Sequence, residues 1–240
     1  MLRLILIIFK KFQGVDVYNM MKAIIFDFDG TIIDTETAWY VVFKNAYKQY
    51  GVDLSLETYS QCLGTNLNSF NPYTYLTTHH NISMDLEEFR TSIHNNYAKL
   101  IEKEAMRPGI LNLLQEAKEA GLKIGLASSS PREWIDKFVN LLGLEDYFEC
   151  YCTADTVKNV KPDPELYLQA LEQLGVQAYE AIAIEDSPNG ARAAVTAGLH
   201  TIVIKNTLTK QLPFSQGHHT IASLEHYTLQ DLIDCLAQKI

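Results

Sequence analysis

Residues 22 to 28 read KAIIFDF, apolar from Ala23 until Asp27 interrupts the run. A strand with one face in water alternates apolar and polar residues. An unbroken apolar run suits a strand covered on both faces, as in a parallel sheet between two layers of helices. Similar runs recur at LKIGLAS (122–128), AIAIED (181–186) and HTIVIK (200–205). Helical patterns lie between them: GILNLLQEAKEAG (109–121), REWIDKFVNLLG (132–143), PELYLQALEQLG (164–175) and NGARAAVTAG (189–198). Each closes on a glycine in helix-stop position. Alternating strand and helix predicts an α/β fold built on a Rossmann-like parallel sheet.

Residues 35–106 break this alternation. They carry helical patterns such as TAWYVVFKNAYKQYG and DLEEFRTSIHNNYAKLIEKEA without a buried strand, and RPG then restarts the α/β pattern. This stretch reads as a helical cap inserted after the first strand, with 21–34 and 107–240 forming the α/β core. Its aromatics (Trp39, Tyr40, Phe43, Tyr47 and Tyr50) read mainly as packing residues, with one or two free to face a cleft. Residues 1–20 read as an extension outside the core, and the apolar stretch from Leu4 to Phe9 is too short to span a bilayer.

With 29 acidic and 20 basic residues the net charge is −9, which disfavours nucleic-acid binding. Cys62, Cys150, Cys152 and Cys235 form no CxxC pair. Cys150 and Cys152 suit one face of a strand as two buried thiols, and a reducing, cytoplasmic compartment is the expectation. His79–His80 and His218–His219 read as solvated loop positions.

The puzzle is Asp27. An ionised carboxylate is costly to bury without a partner. A turn or helix cap accounts for Asp29-Gly30 or Asp34 but not for Asp27. Ligands of open α/β sheets sit at the carboxyl ends of the strands, and there this chain is polar. The first strand ends at Asp27-Phe28-Asp29, the second at Ser128-Ser129-Ser130, and the AIAI strand at Glu185-Asp186. Lys161 stands between the last two, in KPDPE.

In this order the segments DFDGTIIDT, LASSS, KPDPELY and IEDSPNG resemble the four signature motifs of the haloacid dehalogenase-like hydrolases. The resemblance runs from about Lys22 to the C-terminus and is nearest to the helical-cap, β-phosphoglucomutase-like phosphatase branch. It implies a phosphatase acting on a small phosphorylated metabolite, in which Asp27 attacks phosphorus and Asp29 serves as general acid and base. It implies Mg²⁺ bound by the Asp27 carboxylate, the Asp29 backbone carbonyl and Asp186, with Glu185 binding or orienting metal-bound water. Ser128 and Lys161 would hold the phosphoryl oxygens, with Ser129 and Arg132 as further substrate contacts.

Two alternatives stand beside the phosphatase reading. A sugar-phosphate mutase of the same branch carries a GxxR arginine for the second phosphate and a histidine just after the first motif. Here Leu67 follows Gly64 at that spacing, and Trp39 takes the histidine's place. A phosphoaccepting receiver also gathers acids and a lysine at strand ends, but its acids precede the accepting aspartate and it carries no helical insertion after its first strand. The substrate and the oligomeric state are not legible from these patterns.

Overall fold

A computed structural model describes residues 20–62, 70–214 and 219–237. Six strands form one parallel sheet: β1 (Ala23–Phe26), β2 (Lys123–Ala127), β3 (Cys150–Cys152), β4 (Ala181–Glu185), β5 (His200–Ile204) and β6 (His219–Ile221). Their spatial order is β3-β2-β1-β4-β5-β6, with all five pairings parallel. β1 and β4 are buried at every position, as their unbroken apolar runs require.

Helices cover both faces. α5 (Ile110–Glu119), α6 (Arg132–Leu142) and α9 (Leu229–Ala237) contribute Leu113, Phe138 and Leu232 to one apolar cluster with Ile24 and Phe26. α7 (Glu165–Leu174) and α8 (Pro188–Thr196) contribute Tyr167 and Ala193 to the other, with Ala23 and Ile25. Ile24 and Phe26 therefore face one layer and Ala23 and Ile25 the other, the two-residue period of a strand.

Between β1 and β2 lie α1 (Thr35–Gln49), α2 (Leu56–Ser60), α3 (Tyr75–His79) and α4 (Leu86–Ile101). The two passages of chain into and out of this insert run side by side. Ile33 and Met106 form an antiparallel bridge, and Arg107 N–H donates to the Ile32 carbonyl. The Arg107 guanidinium donates to the carbonyls of Gly30, Ile204 and Lys205, tying the start of the insert to the end of β5. Asp34 caps α1 by accepting from Thr37 N–H, which is the cap its position suggested.

The four apolar runs all form strands. Cys150 and Cys152 lie on β3 as free, buried thiols sharing one face. The histidine reading needs one correction: His219 opens edge strand β6 and is half-buried, while His218 lies outside the described residues. A three-residue edge strand is too short to show a period in sequence. Residues 1–19 of the N-terminal extension and the Gly64–Leu67 comparison also fall outside the described residues.

Candidate active site

Parallel register aligns the ends of β1, β2 and β4: Phe26 pairs with Leu126 and Ile184, so the next residues of each strand emerge on one rim. Asp27 follows β1, Ser128 follows β2, Glu185 ends β4 and Asp186 follows it. Asp27, Glu185 and Asp186 are all buried, with one carboxylate oxygen from each within 4.8 Å of the others. Two glycines make room for them. A side chain at Gly30, whose φ is +85°, would collide with the Asp186 carboxylate, and one at Gly190 would collide with that of Glu185.

Lys161 Nζ is the hub. It donates to Asp27 Oδ1 at 2.6 Å, to Glu185 Oε1 at 2.7 Å and to the Ala127 carbonyl at 2.8 Å. Burial alone would lower the ammonium, yet Asp27 and Glu185 beside it hold it above its ordinary value. Tyr167 O–H also donates to Glu185 Oε1. Glu185 Oε2 accepts from the N–H groups of Asp186 and Ser187 and from the Ser187 hydroxyl. Asp186 accepts from the Asn206 amide at 2.6 Å and from the Thr31 hydroxyl.

One atom of this network is left over. Asp27 Oδ2 is buried and has no hydrogen-bond partner. Burial pushes the Asp27 carboxyl up to about 7; Lys161 opposes that rise, and Glu185 and Asp29 add to it. Burial, Asp27 and Glu185 raise Asp186 far above its usual range. Once all three acids are ionised, as they would be around a bound cation, they and the one lysine carry two negative charges in excess, the charge of a divalent cation. Carboxylate oxygens are the donors a hard cation such as Mg²⁺ takes, so the residues present fit one.

Asp29 is built differently. It is half-buried, and every hydrogen bond its carboxylate accepts comes from the segment after β2. Ser130 Oγ donates to Oδ2 at 2.6 Å, Ser128 Oγ to Oδ2 at 3.3 Å, and the Trp134 indole N–H to Oδ1 at 2.9 Å. Across from Trp134 stand residues of the insert: Tyr97 from α4 and Trp39 and Glu36 from α1. Burial, with Asp29 and Asp34 nearby, pushes Glu36 up to about 7.

The structure thus brings together Asp27, Asp29, Ser128, Lys161, Glu185 and Asp186. Ser129 points into solvent while its neighbour Ser130 meets Asp29. Arg132 is occupied elsewhere: Nε donates to Asp136 at 2.7 Å, and the guanidinium lies 4.3 Å over the Tyr151 ring. His79 and His80 are exposed at the end of α3, where His79 stacks on Tyr75. Sequence reading missed Tyr167, Asn206, Arg107, Ser130 and Trp134. Only Tyr167 and Ser130 lie inside the quoted motifs KPDPELY and LASSS.

A parallel α/β sheet with a carboxylate–lysine cluster at the ends of β1 and β4, and helices inserted after β1, defines a phosphate-handling hydrolase. Residues 24–204 match the haloacid dehalogenase-like hydrolase family, and the chain belongs to it. Recognition of a helical-cap phosphatase branch from the four motifs is borne out. YhcW of Bacillus subtilis, by its name a candidate phosphatase, is 42% identical over 217 residues, covering 90% of this chain and 98% of its own. The phosphorylated carbohydrates phosphatase of Thermotoga maritima is 33% identical over 76% of this chain and 84% of its own. Among solved structures, CbbY from Rhodobacter sphaeroides in complex with phosphate superposes with a TM-score of 0.69. It is 28% identical and matches over 88% of this chain and 99% of its own.

Proposed function

We propose that this phosphatase is Mg²⁺-dependent and hydrolyses a small phosphorylated sugar or related metabolite through an aspartyl phosphate on Asp27. The observation that carries the reading is the division of labour at Asp27: Lys161 holds Oδ1, and Oδ2 is buried without a partner. Oδ2 attacks phosphorus, the bond from phosphorus to the ester oxygen breaks, and that oxygen takes a proton from Asp29. Asp29 then removes a proton from water, which attacks the same phosphorus and releases Asp27. Asp27, Glu185, Asp186 and the Asp29 carbonyl would hold the cation, which offsets the repulsion between the carboxylate and the phosphate. Ser128 and Lys161 hold the phosphoryl oxygens.

Residues 35–106 act as a cap in this reading, because both of their connections meet at Ile33–Met106, just beyond Asp29. The sugar class rests on the T. maritima relative, whose name specifies phosphorylated carbohydrates. No described helix is long and apolar enough to cross a membrane. We place the protein in a reducing, cytoplasmic compartment because its cysteine usage is that of buried thiols, as Cys150 and Cys152 are on β3.

The deciding experiment is phosphate release from a panel of sugar phosphates with Mg²⁺, followed by β-glucose 1-phosphate with a catalytic amount of its bisphosphate. Free phosphate forming faster than glucose 6-phosphate supports hydrolysis. The reverse order would establish the mutase, and no turnover in any arm would sink the enzymatic proposal.

A further inference from the structure

We propose that Trp134 is a positioning residue for Asp29, and that the insert holds Trp134 in place through an aromatic stack. The inference rests on Asp29 acting as the general acid. A carboxylate that delivers a proton to one oxygen atom must be fixed in rotation as well as in position, and freedom to rotate is lost only when both oxygens are engaged. Here the two oxygens are engaged from different sides: Trp134 Nε1 holds Oδ1, while Ser130 and Ser128 hold Oδ2. The serines sit in the loop after β2, which the sheet fixes. The indole has no such anchor of its own and is half-buried in the first turn of α6.

Aromatic rings fix the indole. Phe138, one turn along α6, lies 4.5 Å away between ring centroids. Tyr97 stacks with it at 5.9 Å, with 22° between the planes. Trp39 lies face to face with Tyr97 at 3.6 Å and 8°. Tyr97 therefore stacks with both indoles, one from the insert and one from the core. These three rings run from α1 across α4 to α6 and end on an N–H donated to Asp29. Offset or parallel ring contacts constrain orientation more than burial alone does. An aliphatic residue at 134 would fill the space and leave Oδ1 without a donor.

Trp134→Phe keeps an aromatic ring at the position and removes the N–H with the indole's second ring. With an alkyl phosphate, whose alkoxide must be protonated to leave, kcat/KM, which reports the steps up to the aspartyl phosphate, should fall about tenfold, the loss expected for one hydrogen bond to a charged group. With p-nitrophenyl phosphate, whose leaving group needs no proton, kcat/KM should change less than about twofold, and inhibition by inorganic phosphate should be unchanged. Equal losses on both esters, or no loss on either, would overturn the proposal. Ser130→Ala, at a half-buried loop position, should give the same leaving-group dependence and serves if Trp134→Phe does not fold.

A spectroscopic arm separates this claim from the phosphatase reading. The chain has only two tryptophans, so in Trp39→Phe the indole vibrations come from Trp134 alone. The ultraviolet resonance Raman band that reports indole N–H hydrogen bonding should show a strong bond in Trp39→Phe. It should shift to a weak or absent bond in Trp39→Phe/Asp29→Ala. An unshifted band refutes the contact whether or not any ester is hydrolysed. A shifted band with no turnover of any ester leaves the contact standing and counts against the role of Asp29.

Discussion

The carboxyl rim of the sheet and the insert both border Asp29 and are made of different material. On the sheet side, three carboxylates and an ammonium share a buried cluster, each fixed by its place at a strand end or by several hydrogen bonds. On the insert side the groups are mostly rings: Trp39, Phe43, Tyr59, Tyr73 and Tyr97 contact one another, and Glu36 is the acid nearest the site. Charge at such density needs backbone precision, which parallel strands supply through a shared register. Rings need only a helix face with the right period, and they adapt their packing. The charged cluster is accordingly built on the sheet half, and the insert contributes rings.

If this division is correct, the largest effects belong to the sheet side. Asp27→Asn should lower turnover by roughly 10³-fold or more with the fold retained by circular dichroism, because an amide is neither a nucleophile nor a strong ligand. Excess chelator should do the same to the wild type, reversibly on adding Mg²⁺, and full turnover in chelator would break the comparison at its base. Asp29→Asn should cost roughly 10²–10⁴-fold in turnover. Its Mg²⁺ affinity by calorimetry should stay close to wild type, since the carbonyl at that position is unchanged.

Stability sharpens the contrast. Lys161→Met leaves Asp27 and Glu185 buried without their cation and should cost about 3–5 kcal/mol in urea denaturation at pH 8. The Lys137–Glu102 pair joins α6 to the end of α4 in solvent at 3.3 Å, and Lys137→Ala should cost about 0–1 kcal/mol. Comparable losses would show that the sheet cluster is no more tightly organised than the surface.

Glu36 supplies a test with a definite sign. Its carboxyl is raised to about 7 in the folded chain, so the unfolded chain gives up that proton at lower pH than the folded one does. Stability therefore falls as pH rises from the unfolded value, near 4.5, to about 7, and the loss persists above it. Glu36→Gln removes the charge, so it should raise the melting temperature at pH 8 and leave it nearly unchanged at pH 4.5. A variant destabilised at pH 8 would show that the carboxylate is held by a favourable partner. The smallest effect is expected at Arg132: with its guanidinium engaged by Asp136 and Tyr151, Arg132→Ala should leave kinetics unchanged across substrates. A selective rise in KM for acidic substrates would return it to the site.

The sequence by itself determined the four central apolar strands and the charged residues at their ends; the short edge strand β6 was not legible in it. Unbroken apolar runs mark strands buried on both faces, and an acid ending such a run stands out because burial makes it costly. This logic found Asp27 and Glu185-Asp186 and put Ser128 at the right strand end, while Lys161 was legible only through the order of the four motifs. Which serine points inward was decided by tertiary structure: Ser129 and Ser130 are equivalent letters, and only the turn into α6 directs one hydroxyl to Asp29. The same holds for Asn206, Arg107 and Trp134, whose partners lie 20, 77 and 105 residues away along the chain. Periodicity reports which face of an element is buried, because water sees each residue locally. Hydrogen-bond partners distant in sequence leave no period, so only the folded chain shows that an indole after β2 and an aspartate after β1 meet.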